Sequence, residues 1–426
     1  MRNLLLVISF ALFFRATPAT FAQQTNERDS SSSAITEYRL PADKLEKAHG
    51  LYIIETWLFL ISTVYSFAVL VGFLGRGWMA KIRSLAERVS ARRFVQAWIV
   101  IPLFALSFSV LLLPPRIYGH HVSRKFGLSV QGWGSWLRDW AVELLLLCIV
   151  GTLVAWILYS VIRRSPRRWW LYFWLAVVPI SAFLTFIAPV VIDPLFNKFQ
   201  PLENTHPELV SALEQVAHRG GLDIPRSRMY EMKASEKLTG SNAYVTGFGA
   251  TKRVVVWDTA IQKMTAPEIL FVFGHEMGHY VLGHIVQGFI FANLVFLVLF
   301  YLSYRIALGM QQLWGTRWCI RELADWASVP MLLLIISILF FVITPGLNAF
   351  SRHIEQQADQ YGLEVVHGVV PDSPQVAAQS FQALGEEWLE YPYPSQPAVW
   401  WFWDHPTITD RIRFALSYDP WARGHS

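Results

Sequence analysis

Charge and cysteine are the scarce ingredients of this 426-residue chain. Only 16% of its residues are charged, while 54% are hydrophobic and 15% aromatic. A soluble domain carries about a quarter charged residues, so an ordinary soluble protein is excluded. Two cysteines, Cys148 and Cys319, stand alone in or near apolar segments. That excludes a disulfide framework and a cysteine-built metal site. No internal repeat is present. The net charge of +5 is modest, and its arginines cluster in short loops between apolar runs. Such placement orients a chain in a membrane and does not suggest a nucleic-acid surface.

What the chain has instead is long apolar runs, with a mean hydropathy of +0.34. The first, "MRNLLLVISFALFFRATPATFA" (1–22), has a basic start, an apolar stretch and small residues before Ala22. It reads as a secretory signal peptide; an uncleaved membrane anchor is the alternative. Residues 23–50 form a polar tether that opens on a low-complexity stretch. Six later runs can span a hydrocarbon core about 30 Å thick: 57–74, 97–113, 141–162, 169–192, 285–303 and 328–347. Pro179 and Pro189 predict a kink in the fourth. This gives a four-span region within 51–192 and a two-span hairpin at 285–347.

Loop charge predicts orientation. The 75–96 loop and the "RRSPRR" turn hold ten basic residues, against four (Arg116, Arg124, Lys125 and Arg138) in the 114–139 loop. The positive-inside rule places the first two in the cytoplasm and the region after Ile192 outside it. His120 and His121 read as loop residues. Glu143, inside a span, reads as a bundle-interior hydrogen-bonding group, with a functional role as the alternative.

Residues 193–284 are the polar part. "HPELVSALEQVAHRGGL" predicts a helix stopped by a glycine pair. "SRMYEM" and "RVVVWD" predict short strands, with turn signals between them. The result is a small α+β cap on a helical membrane body. Within it lies "FGHEMGHYVLGH" (273–284). On a helix, His275 and His279 share a face and can share one cation. Glu276 beside them can reach a water on that cation, the H-E-x-x-H arrangement of zinc peptidases. A catalytic zinc takes three protein ligands and keeps one open position. The best third ligand is Glu355, in the segment 348–426 that follows the last span. Asp359, one turn on, can accept the spare ring N–H of a histidine ligand. Spans five and six form an antiparallel hairpin, so both helices emerge at one membrane face. His284 falls off the shared face and reads as an interface or cavity histidine. A buried polar contact or a structural metal is the alternative for the pair, and a channel or a non-catalytic chaperone is the alternative for the chain.

"HEMGH" with "NAFSRHIEQQAD" resembles the M48 zinc peptidases, and more closely their integral-membrane Ste24-type CAAX prenyl proteases. "APVVIDPLFNKFQPL" (188–202), "GSNAYVTGF" (240–248), "KRVVVWDT" (252–259) and "DHPTITDRI" (404–412) are similar to that group's other signatures, in the same order. The resemblance implies a mainly α, polytopic membrane fold enclosing a chamber, with a gluzincin-type α+β catalytic cap. It implies one Zn2+ per chain on His275, His279 and Glu355, with Glu276 as base and Asp359 supporting a ligand. His405 is implied beside the scissile carbonyl, and Arg411 in a supporting salt bridge. Asn242, Ala243 and Tyr244 are implied as the edge that takes the substrate as an added strand. The expected partners are a peptide or protein substrate, lipidated or not, and the lipid bilayer, with no nucleic acid. A general protease of damaged membrane proteins is the alternative within the same chemistry.

Overall fold

The computed structural model describes residues 34–186, 188–247 and 252–421; the expected signal peptide and the first part of the tether lie outside them. Helix α1, Ala42–Gly75, starts after Pro41 with Asp43 in its first turn, where a carboxylate complements the helix dipole. It begins well before its apolar run, so the last residues of the tether are helical. A short amphipathic helix α2, Trp78–Val89, leads to α3, Arg93–Leu111. Helix α4, Leu113–Lys125, follows at once. The 114–139 segment is therefore not a plain loop. Pro114 and Pro115 occupy the first helical turn, where proline's missing N–H costs nothing and its fixed φ suits the helix. His120 is correspondingly not a loop residue: it is buried, stacked on Trp136 and edge-on to Trp133.

Helix α5 is Trp133–Arg164 and α6 Trp169–Phe186. Pro179 lies inside α6, and the rest of the fourth run belongs to helix α7, Ala188–Phe196. The cap comes next: β1 Phe199–Pro201, α8 Pro207–Arg219, β2 Met229–Met232, β3 Ala243–Thr246, β4 Arg253–Trp257, α9 Asp258–Lys263 and α10 Ala266–Val281. Helix α11, His284–Trp314, returns through the membrane and runs past the end of the expected fifth span, 285–303. Helix α12, Val329–Val366, crosses back and continues beyond its apolar part. Helices α13 Ser373–Glu387, α14 Gln396–Phe402 and α15 Ile408–Ser417 close the chain.

Among the described residues six helices are long and apolar enough to cross a membrane: α1, α3, α5, α6, α11 and the stretch Trp326–Val366 that contains α12. The protein is a mainly helical integral membrane protein. Its membrane part packs around Phe73, Phe104, Tyr159 and Trp326. The cap has its own core, where Leu213, Val254, Phe271, Phe273, Val366 and Ile412 meet. The sheet order is β1-β2-β4-β3. Strands β2 and β4 run parallel, and β3 lies antiparallel to β4 with Ala243 opposite Val256. Strand β3 is thus an edge strand; its turn-like composition hid it from a reading by periodicity. Membrane helices and cap together enclose a chamber of about 800 Å³.

Candidate metal centre

Two helices bring the ionisable groups together. Helix α10 is started by a capping box: Thr265 N–H donates to Glu268 Oε2 at 2.7 Å, and Pro267 sits in the first turn. That start sets which face His275 and His279 share. Helix α12 crosses this face at short range because glycines line the crossing. A Cβ on Gly278 would meet Ala358 Cα at 3.1 Å, and one on Gly362 would meet the His275 backbone nitrogen at 3.0 Å. Gly274 and Gly278 form the G-x-x-x-G spacing that lets helix backbones approach closely.

The approach places Glu355 against both histidines. Its Oε2 lies 3.2 Å from His275 Nε2, and its Oε1 lies 3.5 Å from His279 Nε2. The two histidine Nε2 atoms are 3.2 Å apart. These three residues form a group whose ligand atoms all lie within 4.8 Å of one another. Bonds of about 2.0–2.2 Å to a tetrahedral zinc put ligand atoms roughly 3.3–3.6 Å apart, close to the 3.2 Å between the two imidazole nitrogens and to the 3.2 and 3.5 Å at which the two Glu355 oxygens stand from them. The donor set fits as well. Buried Glu355 Oε2 accepts no hydrogen bond of good geometry, although nitrogens surround it. Lone pairs and a carboxylate aimed at one point call for a cation.

The orienting groups are equally specific. His275 Nδ1 lies 2.7 Å from Asp359 Oδ1, which fixes that ring as an Nδ1–H donor. Arg411 donates to both oxygens of Asp359, through Nε at 2.8 Å and through Nη2, and its guanidinium lies over the Phe381 ring at 4.2 Å. Burial acts to lower the His275 imidazole, but with no cation between them the Asp359 and Glu355 carboxylates outweigh it and raise it to about 9; a metal there would take the place of the Nε2 proton. His405 Nε2 lies 3.1 Å from Glu355 Oε2, and its Nδ1 lies 3.0 Å from Asp404 Oδ1. Burial again acts to lower the imidazole, and Glu355 and Asp404 together raise it above its ordinary value.

Glu276, one position from His275, is half-buried and lines the chamber, as do His405 and Asn242. The Asn242 carbonyl accepts from Trp257 N–H at 3.0 Å, which anchors the start of β3. Ala243 is buried, and the Tyr244 hydroxyl points to Asp193 at 3.5 Å, so what β3 offers a ligand there is its main chain. Glu143 faces the chamber in an ion pair with Arg116 at 2.7 Å. His284 is a buried interface histidine outside the group of three. Its Nδ1 lies 3.1 Å from His279 Nδ1. The signal was present in Gly283, whose positive φ of 71° breaks the helix after Val281 and swings His284 back toward the site.

This geometry has counterparts. The sequence description "Peptidase family M48" matches residues 203–419, and "CAAX prenyl protease N-terminal, five membrane helices" matches residues 23–198. The uncharacterized metalloprotease YhfN of Bacillus subtilis is 36% identical over 362 residues, covering 85% of this chain and 83% of that one. CAAX prenyl protease 1 of Saccharomyces cerevisiae is 28% identical over 286 residues, covering 64% of this chain and 62% of that one. The crystal structure of S. mikatae Ste24p superposes with a TM-score of 0.76 at 23% identity, over 91% of this chain and 93% of that one, a likeness of fold. The histidine–glutamate centre, the chamber around it and the extent of these matches lead to one conclusion: the chain belongs to peptidase family M48, as an integral-membrane metalloprotease.

Proposed function

We propose that this protein is a zinc endopeptidase that cuts membrane-associated peptides, CAAX-type prenylated peptides among them, inside its chamber. His275, His279 and Glu355 would hold the one ion. The observation that carries this is the convergence of two imidazoles and one carboxylate at separations suited to a tetrahedral ion. A zinc there supplies positive charge that polarises a peptide carbonyl and lowers the pKa of water to about 7.

The chain's own groups do the rest. Glu276 takes the proton of the attacking water and hands it to the leaving amine. His405, oriented through Nδ1 by Asp404, donates a hydrogen bond from Nε2 to the oxyanion, a contribution of about 3–4 kcal/mol by analogy with single oxyanion donors. Asp359 and Arg411 hold His275. Asn242, Ala243 and Tyr244 present the free edge of β3 to an extended peptide, which binds by strand addition. The substrate class is supported by the CAAX prenyl proteases among its relatives and by the chamber's aromatic wall, with Tyr52, Phe59, Phe291, Phe340 and Phe402. The loop charges favour a site on the extracytoplasmic side.

The test is Glu276→Gln in proteoliposomes, with a prenylated CAAX peptide and its unmodified counterpart as substrates. Turnover should fall by about 10³-fold or more while the zinc content stays at one per chain. Wild-type turnover in that variant removes Glu276 from its role. Equal cleavage of both peptides replaces the prenylated class with membrane peptides in general.

A further inference from the structure

His284 is fully buried at the start of α11 and bridges two elements. Its Nδ1 lies 3.1 Å from His279 Nδ1, and its Nε2 lies 3.0 Å from Gln357 Oε1 on α12. We infer that Gln357 and His284 are positioning residues, a two-step hydrogen-bond relay that selects the tautomer in which His279 can hold the metal. The inference rests on the reading of His279 as a ligand.

The logic follows from proton counting. A neutral imidazole carries one N–H and one lone pair. Gln357 Oε1 accepts, so the His284 proton is on Nε2. The His284 Nδ1 is then a lone pair, and only one proton fits between the two Nδ1 atoms. That proton comes from His279. His279 Nε2 is left bare, facing His275 Nε2 at 3.2 Å and Glu355 Oε1 at 3.5 Å. The opposite order, with a donor at position 357, places a proton on His279 Nε2 and closes that atom to a cation. Asp359 does the same for His275 in a single step. Helix α12 thus carries Glu355 together with the groups that set both histidines, two and four positions further on.

The experiment is a double-mutant cycle on the full-length protein in detergent, read by Zn2+ affinity in chelator competition. Gln357 is exposed, so Gln357→Met tests the relay without disturbing the core. It should weaken Zn2+ binding about 10- to 100-fold, the usual effect of losing an outer hydrogen-bond partner. In a His284→Asn background the amide oxygen accepts from His279 whatever stands at 357, and Gln357→Met should change affinity by no more than about twofold. A purely structural role predicts the same loss in both backgrounds, and that result overturns the relay, as does unchanged affinity in Gln357→Met. ¹⁵N-histidine NMR of the wild type adds a check independent of folding in the variants: His284 protonated on Nδ1 overturns the relay. Unchanged Zn2+ affinity in His279→Ala is a different failure, because it removes the metal centre itself.

Discussion

At the scale of single residues, the site is built of charges that need one another. Arg411 is buried against Asp359, and Asp359 against His275. Removing one partner of such a pair strands the other charge. Arg411→Leu should therefore cost about 3–5 kcal/mol, visible as a lowered melting temperature of the metal-free protein. A second buried acid gives a pH signature. Glu231 accepts from Gln200 and Thr205, each at 2.8 Å, and from Lys233. Burial acts to raise its carboxyl, but these donors outweigh it and hold the group below its ordinary range. The folded-state value is depressed, so the contribution is present above about pH 4.3, the unfolded value, and is lost as pH falls through the folded value. Glu231→Gln should be less stable by about 1–3 kcal/mol at neutral pH, with the difference closing in acid. Thermal melts from pH 7 to pH 3 check this; a difference that persists at pH 3 contradicts it.

At the scale of elements, the decisive feature is the close crossing of α10 and α12. Gly278→Ala sets a Cβ at 3.1 Å from Ala358 Cα, and backbone on both sides leaves little room to yield. The crossing should open by a few tenths of an ångström and loosen the ligand set, weakening Zn2+ by about tenfold or more with helix content unchanged; chelator competition and circular dichroism measure the two. Much of this was legible in the sequence. His275, His279, Glu355 and Asp359 all repeat at four-residue spacing on uninterrupted helices, and helical periodicity is the signal sequence carries best. His284 is an interface histidine, but periodicity carried past Gly283, where the backbone turns, does not show that it meets His279. Helix α4 was missed because its two prolines look like a loop when they are a helix start. Strand β3 was missed by pattern because an edge strand of four residues between turns has little alternation to show.

At the scale of the whole molecule, the membrane core and the cap core are joined by α12, which contributes to both, so the sequence's apolar run marks the span but not its end. The arginine-rich loops follow the C-terminal ends of α1 and α5, whereas the chamber is lined by the N-terminal parts of these helices. Cys319 is exposed near that end, packed beside Gly77, and Arg83 donates to its carbonyl. In a Cys148→Ala background, a membrane-impermeant maleimide should leave Cys319 unlabelled in intact spheroplasts and label it in inverted vesicles. The reverse pattern places the catalytic face in the cytoplasm.

Helix α12 runs 38 residues, about 57 Å at 1.5 Å per residue, nearly twice the hydrocarbon thickness. Glu355 stands 26 positions from its start, about 39 Å along the rod, a longer run than a hydrocarbon core of about 30 Å. Length here becomes a yardstick. The proposed function with this length leads to an expected preference: a bond at headgroup level, a few residues from a greasy anchor, should be cut faster than one placed in mid-bilayer, as cleavage of peptides with graded anchor-to-bond spacing would measure.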